Sequence, residues 1–484
     1  MKPYKTLLFI LSVFLILGII WLFFPKNNLK INGLEIRFPS YSKSIAPDTI
    51  VRIDVDSVLQ NIQESFVMTC SESQLDTLNY FRDFLTKNPN RIYLPHNDYQ
   101  YFDTLFHLLE QNNDTIYRIM HYGDSQIELD RISSVLRQRL QTIFSGSGVG
   151  MIPAIQKVPS VSISQKASGN FARYIIYGDS TTQRAPHSRY GVMGHFSALS
   201  GKGSITFSVS NHMYAQEKVK QISRISLLIG NNSPDFKASL QCDTFPSMVK
   251  LCDGKEGVSL LSWSFPQNIQ KGYLTLEGNA DIYALLLDGE NGIAVDNNPL
   301  RGCSGTIFTK IDKRIMQESF ELLNTRLIIL QFGGNRMPSI TNKASINAYM
   351  KQIVRQIDYF KEVAPKAKIL FIGPSDMGKS INGAITTYPM LSELNDSLKS
   401  TTLRNDVAYW DMFDVMGGEN SMIRWVQHQP PFATTDYIHF THHGAKEIGN
   451  VLSKSFETYY NFYHLRKDLP NDSVINFIKS DTIQ

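Results

Sequence analysis

Four apolar runs of strand length, Ile282 to Leu287, Arg326 to Phe332, Lys368 to Gly373 and Val407 to Met412, follow one another through the second half of the chain. Segments with apolar residues at helical spacing accompany them: Phe308 to Leu323, Ile346 to Val363, Tyr388 to Ser400 and Gly444 to Tyr463. Strands that alternate with helices and are apolar on both faces fit a parallel sheet covered on each side. Thr115 to His121 reads as a further strand earlier in the chain. The expected fold is therefore α/β, a five-stranded parallel sheet flanked by helices. Ligands of such sheets bind at the carboxyl ends of the strands, so chemistry is to be sought in the loops that leave them.

The intervals around this pattern set the domain organisation. Residues 99–150 and 281–463 are assigned to the α/β domain. Between them, 151–280 changes character to short alternating segments rich in Ser, Thr, Tyr and Val, the clearest being Ser204 to Ser210, Arg224 to Ile229 and Gly272 to Glu277. That spacing predicts an inserted β-sandwich. Residues 27–98 read as a stalk and helical lead-in, with a strand at Ile50 to Val55 and a helix at Gln74 to Leu85, and 464–484 as a loose polar tail. At the N-terminus, Lys2 and Lys5 precede an uncharged run over 6–24, closed by Pro25 and Lys26. The run is long enough to cross a hydrocarbon core, and the flanking charge favours a cytoplasmic N-terminus. A single-pass signal anchor is expected, with the remainder of the chain outside.

A net charge of +4 on 484 residues, with no Lys/Arg block, argues against a nucleic-acid surface. The four cysteines, Cys70, Cys242, Cys252 and Cys303, form no metal-binding spacing. Cys242 and Cys252 either close a small loop or remain buried free thiols.

The loop after the first strand is Gly123-Asp124-Ser125. A serine at a strand-to-helix junction is either an ordinary helix cap or a nucleophile whose N–H faces outward at the positive end of the helix. Three other loops at strand ends supply what a nucleophile would need. One holds Gly302-Cys303-Ser304-Gly305, where a glycine lets a backbone N–H approach a ligand closely. Another holds Gly333-Gly334-Asn335, with an amide side chain. The last holds Asp436 and His439, three apart, so that the carboxylate can reach one imidazole nitrogen while the other faces the serine. A zinc site built from His439, His442 and His443 would lack its fourth ligand.

These blocks resemble, in order, those of the SGNH hydrolases, also called GDSL-type esterases. The resemblance implies Ser125 as nucleophile, Asp436 and His439 as acid and base, and an oxyanion hole made by the Ser125 and Gly305 N–H groups with the Asn335 side chain. Gly302 is the rival to Gly305, because Pro299-Leu300-Arg301 makes that block irregular, and Arg336 stands where many members carry an acid. Met120-His121-Tyr122, Gly148-x-Gly150, Val295-Asp296-Asn297-Asn298, Phe371 to Met377 and the β-insert are similar to the bacterial O-acetylpeptidoglycan esterases. In those the insert resembles a carbohydrate-binding module. The implied activity is removal of O-acetyl groups from a cell-envelope polysaccharide, peptidoglycan first, by an inner-membrane protein facing the periplasm. No metal or organic cofactor is implied. An O-acetyltransferase using the same residues, and a non-catalytic glycan-binding surface protein, are the alternatives.

Overall fold

The computed structural model describes residues 3–23, 29–31, 34–36, 70–111 and 114–480. It divides into two units, 1–69 and 70–484. The first holds helix α1 (Pro3–Phe23) and a hairpin of β1 (Leu29–Ile31) and β2 (Leu34–Ile36). Side chains of α1 such as Leu8, Phe14 and Leu22 are exposed. Taken over the described residues, which leave out the side chains of Pro3, Thr6 and Trp21, no helix is long and apolar enough to cross a membrane. The strand expected at Ile50 to Val55 lies outside the described residues.

The second unit runs α2 (Glu72–Lys87), β3 (Ile92–Tyr93), α3 (Asp103–Glu110), β4 (Ile116–Gly123), α4 (Ser133–Ile143), β5 (Gly148–Ile152), β6 (Ile163–Ile175) and β7 (His195–Val209). It continues through β8 (Arg224–Asn232), β9 (Phe236–Cys242), β10 (Met248–Cys252), β11 (Lys255–Ser264), β12 (Lys271–Asp288) and β13 (Gly292–Pro299). Then come α5 (Lys313–Leu322), β14 (Thr325–Gln331), α6 (Lys343–Val363), β15 (Lys368–Ile372), a hairpin of β16 (Gly378–Ile381) and β17 (Ala384–Thr387), α7 (Leu391–Arg404) and β18 (Ala408–Trp410). Four helices close the chain: α8 (Met412–Met416), α9 (Ser421–Gln427), α10 (His442–Asp468) and α11 (Asn471–Lys479).

The central sheet has the order β13-β4-β14-β15-β18-β3. Its first five strands are parallel, and β3 adds an antiparallel edge through Tyr409↔Tyr93 and Trp410↔Ile92. In chain order the parallel strands are arranged 2-1-3-4-5, so the connections change direction between β4 and β14. A crevice opens at such a reversal, outside the carboxyl ends of the strands. Gly123 at the end of β4 lies opposite Gln331 at the end of β14, which brings the loops carrying Ser125 and Asn335 out side by side.

The second parallel strand is Gly292–Pro299, whereas the sequence pattern placed it at Ile282 to Leu287. That run belongs to β12, which pairs antiparallel with β5, β7, β8 and β9. The insert is also not two separate sheets of a sandwich. Its eight strands, from Gly148 to Asp288, are hydrogen-bonded into one antiparallel sheet that branches at β12.

A β-bulge between Ile282 and Ala284 explains why one strand can serve two cores. Before the bulge Leu274, Leu276, Ala280 and Ile282 face the insert core; after it the phase flips, and Leu285 and Leu287 do so. Tyr283, Ala284 and Leu286 pack into the α/β core instead. A strand apolar on both faces looks the same in sequence whether its neighbours are parallel or antiparallel.

Two buried polar clusters tie the sheet together. Arg118 on β4 pairs with Asp288 on β12, and with Asp296 on β13 at 2.7 Å. Asp296 also accepts from the Met151 N–H of β5 at 2.8 Å. His121 lies 3.0 Å from Gln331 and 2.9 Å from Ser133, joining β4, β14 and α4. Burial pushes its pKa down to about 4, which keeps it neutral.

The lead-in and the tail both depart from expectation. Phe81 of α2 packs on Phe462 of α10 at 5.4 Å between ring centroids, and β3 extends the central sheet. The tail is not loose: α11 buries Val474, Phe477 and Ile478, and Arg82 of α2 lies over the Phe477 ring. Its apolar residues recur at i, i+3 and i+4, which gives a short helix a stripe to bury. All four cysteines are free. Cys252 sits opposite Phe236 at one end of the β9–β10 hairpin, with Cys242 at the other, so the register keeps those two thiols apart.

Candidate active site

Four loops at the carboxyl edge of the sheet build the site. After β4 the chain turns at Asp124, whose carboxylate accepts from the Gln126 N–H at 2.9 Å and caps the short 3₁₀ turn Ser125–Asp130. The cap engages the second N–H of the turn, that of Gln126, and not the first, that of Ser125. Ser125 is half-buried, and its Oγ lies 2.9 Å from His439 Nε2.

His439 stands in the loop before α10. Its Nδ1 is 2.7 Å from Asp436 Oδ2. The other oxygen of Asp436 accepts from Thr434 Oγ1 at 2.6 Å and from the N–H groups of Ile438 and His439 at 2.9 and 3.0 Å. Partial burial opposes ionisation of Asp436, but the bonds from Thr434 and His439 outweigh it and hold the carboxyl well below its usual range. Thr441 then caps α10 by accepting from the Gly444 N–H at 3.2 Å. Only glycine fits at 444, because a Cβ there would meet the Phe432 carbonyl oxygen at 1.9 Å.

The loop after β14 brings Asn335. Its Nδ2 donates to Asp124 Oδ2 at 2.8 Å and, more weakly, to the Cys303 carbonyl at 3.3 Å. Asp124 thus holds the nucleophile turn with one oxygen and the Asn335 amide with the other. Burial pushes its pKa up to about 6, against the lowering effect of the hydrogen bonds from Gln126 and Asn335 and of nearby His439.

A cavity of ≈ 160 Å³ opens in front of Ser125, Asn335 and His439, walled by Phe332, Pro338, Pro374, Met377 and Met412. Of the residues singled out in the sequence, Ser125, His439, Asp436 and Asn335 come together. Gly305 does not line this cavity, and its N–H faces Cys303 Sγ at 3.3 Å. With φ of +77° and the Phe332 ring 2.7 Å from where a Cβ would stand, Gly305 is required by packing. Gly302 also has a positive φ, but open space around it. Neither of the histidines beside His439 is drawn into a metal cluster among the described residues; His442 stacks on Tyr214 of the insert at 4.3 Å.

Sequence reasoning missed the residues that hold the loops in register. Gln126 donates to the Ile438 carbonyl at 2.6 Å and accepts from the Phe440 N–H at 3.3 Å. Arg131 donates to the carbonyls of Glu128, Ser125 and Phe440 at 3.0, 3.1 and 2.6 Å. Together they fasten the nucleophile turn to the loop on either side of His439. Nothing in composition or spacing marks side chains whose partners are backbone carbonyls more than three hundred residues away.

Comparison with known proteins falls on the same geometry. Residues 269–446 match the profile of the GDSL-like Lipase/Acylhydrolase family. The chain carries a GDSL-like lipase/acylhydrolase domain. The matched stretch includes Gly305, Asn335, Asp436 and His439 but stops short of Ser125, which the insert separates from it in sequence.

Among solved structures it is similar to one described as "Peptidoglycan O-acetylesterase in action, 5 min", with TM-score 0.59 and 19% identity, covering 75% of this chain and 96% of the other. That similarity bears on the fold, an α/β arrangement of the SGNH hydrolase type. Looser overlaps occur with a family two carbohydrate esterase from Cellvibrio japonicus (TM-score 0.25, 10% identity, 62% of this chain and 99% of that one) and with an acetyl xylan esterase (0.27, 12%, 34% and 81%). None of the curated proteins compared matches the sequence.

Proposed function

We propose that this chain is a membrane-anchored serine esterase that removes O-acetyl groups from a cell-envelope polysaccharide, peptidoglycan first, through an acetyl-enzyme on Ser125. The observation that carries the reading is the line Ser125 Oγ, His439, Asp436, with separations of 2.9 and 2.7 Å.

Ser125 Oγ attacks the acetyl carbonyl while His439 Nε2 takes its proton. Asp436, held ionised by four hydrogen bonds, fixes the tautomer and stabilises the imidazolium that forms. The Ser125 N–H meets the developing oxyanion, joined by the Asn335 amide, which turns to it the N–H that otherwise makes the long 3.3 Å bond to the Cys303 carbonyl. A Gly302 or Gly305 N–H would serve as third donor only after the loop shifts. His439 returns the proton to the departing sugar hydroxyl, and water repeats the sequence to free acetate. The cavity of ≈ 160 Å³ favours a small acyl group over a long one, since drug-sized ligands need several hundred Å³.

The anchor is part of the proposal. It draws on the apolar run at 6–24, the helix over Pro3–Phe23 and Lys2 and Lys5 before it, and places the α/β domain on the outer side of a bacterial inner membrane. The test is acetate release by the full chain in detergent from O-acetylated peptidoglycan, acetylxylan and an aryl acetate. Peptidoglycan preferred over xylan supports the reading. Release only when a sugar acceptor is supplied would make the chain a transferase, and no release from any substrate would overturn the catalytic reading.

A further inference from the structure

A second cavity, of ≈ 350 Å³, lies where the insert meets the nucleophile turn. Glu128, three residues after Ser125, lines it from the α/β side, with Asp130 and Arg301. From the insert come Arg173 and Ile175, which share one face of β6, and His195, which pairs with Ile175 across β6 and β7. Tyr177 follows β6 and lines the same space.

The charges of this cavity do not balance. Its lining contains the cations Arg137, Lys157, Arg173 and Arg301 against the carboxylates Glu128 and Asp130. Each carboxylate is already taken by a guanidinium in two-point contact: Glu128 by Arg301 at 2.7 and 2.5 Å, and Asp130 by Arg137 at 2.6 and 3.0 Å. Asp130 also accepts from Ser162 Oγ.

Arg173 has no ion pair or side-chain hydrogen bond among the described residues, and its Nε is buried without a partner. His195 offers no countercharge; burial first and the Arg173 charge second push its pKa down to about 3, so it stays neutral. A guanidinium is planar, always charged and made for two-point contact with an oxyanion. Leaving one unpaired in a partly buried cavity is costly unless something fills the place.

We infer that this cavity binds a carboxylate carried by the acetylated glycan, with Arg173 as its recognition group and Lys157 as a second cation at the mouth. The substrate class becomes an acidic acetylated saccharide, anchored by its carboxylate against the insert while its acetyl ester reaches Ser125. Such a carboxylate comes from one of two sources, the lactyl ether of an amino sugar whose carboxyl carries no peptide, or the ring of a uronic acid.

This inference rests on the esterase reading above, so its test is separated from turnover. Aryl acetate hydrolysis by the unaltered chain tests that reading. Binding to the Ser125→Ala chain, measured by calorimetry, tests this one. The probes are the N-acetylglucosaminyl-N-acetylmuramic acid disaccharide with its lactyl carboxylate free, the same compound amidated there, trigalacturonate, and its carboxyl-reduced form.

At least one acid is expected to bind about ten- to hundredfold more tightly than its neutral counterpart, as a charged hydrogen-bonded pair predicts. Which acid shows it identifies the source. Adding Arg173→Gln should erase the preference. Arg173→Lys, which keeps the charge and guards against a folding defect, should retain only part of it. Acids and neutral counterparts binding alike, no measurable binding of either acid, or a preference that survives Arg173→Gln would overturn the inference.

Discussion

Asp124 Oδ2 accepts from Asn335 Nδ2 at 2.8 Å, while Asp124 Oδ1 accepts from the Gln126 N–H at 2.9 Å. One buried carboxylate thereby sets the Ser125 turn and the Asn335 amide at a fixed spacing. Asp124→Asn is expected to fold and to lower kcat by about a hundredfold, the order found when one oxyanion donor is lost. The Asn335 amide would face another amide in place of an anion. Steady-state kinetics on an aryl acetate check this.

The Asp124 pKa, raised to about 6 by burial, gives a sign for pH dependence. As pH falls through about 6 the carboxyl takes up a proton and presents a donor to groups that themselves donate, so activity should fall. This component should be missing in Asp124→Asn. For stability the sign is opposite: the folded chain holds this proton more tightly than the unfolded one, so the group's contribution declines as pH rises from the ordinary carboxylate value to about 6. The two profiles, kcat against pH and thermal midpoint against pH, are measured side by side.

Arg131 donates to four carbonyls, those of Ser125, Gln126, Glu128 and Phe440, and so joins the Ser125 turn to the loop that carries His439. Arg131→Gln should lower kcat by tenfold or more with a smaller change in KM, because it loosens the Ser125–His439 approach rather than a substrate contact. Equal losses in kcat and thermal midpoint upon Arg131→Lys and Arg131→Gln, with the kcat/KM split absent, would reduce it to a structural role.

The two loop glycines should separate cleanly. Gly305→Ala forces a Cβ against the Phe332 ring at a positive φ and is expected to cost roughly 2 kcal/mol or more. Gly302→Ala meets open space and costs about 1 kcal/mol from φ alone. Chemical denaturation measures both. A catalytic loss in folded Gly302→Ala would favour the Gly302 N–H as third oxyanion donor.

Phe477 is 5% exposed in α11, under Arg82 of α2. Phe477→Ala is expected to cost about 3 kcal/mol, in the range for emptying a buried aromatic site, with kcat little changed. A midpoint shift of zero would return the last helix to the loose tail that its polar composition suggests.

The parallel strands were legible in the sequence because each is apolar on both faces and followed by a polar turn, as at Arg326 to Phe332. The same property misassigned Ile282 to Leu287, since burial between two cores erases the alternation that marks an antiparallel strand. The Ser125, Asn335, Asp436 and His439 loops could be found because each follows a strand or precedes a helix. Asp124, Gln126 and Arg131 act through contacts with residues some two to three hundred positions away, and only the folded chain brings those partners within reach.

Activation of Ser125 by His439, 2.9 Å away, is tested by covalent labelling of the serine. The full chain is incubated with diethyl 4-nitrophenyl phosphate, and the adduct is located by peptide mass spectrometry. A diethylphosphoryl group is expected on Ser125, absent in Ser125→Ala and formed at least a thousandfold more slowly in His439→Ala. An unlabelled Ser125, or labelling that proceeds equally fast without His439, would contradict it.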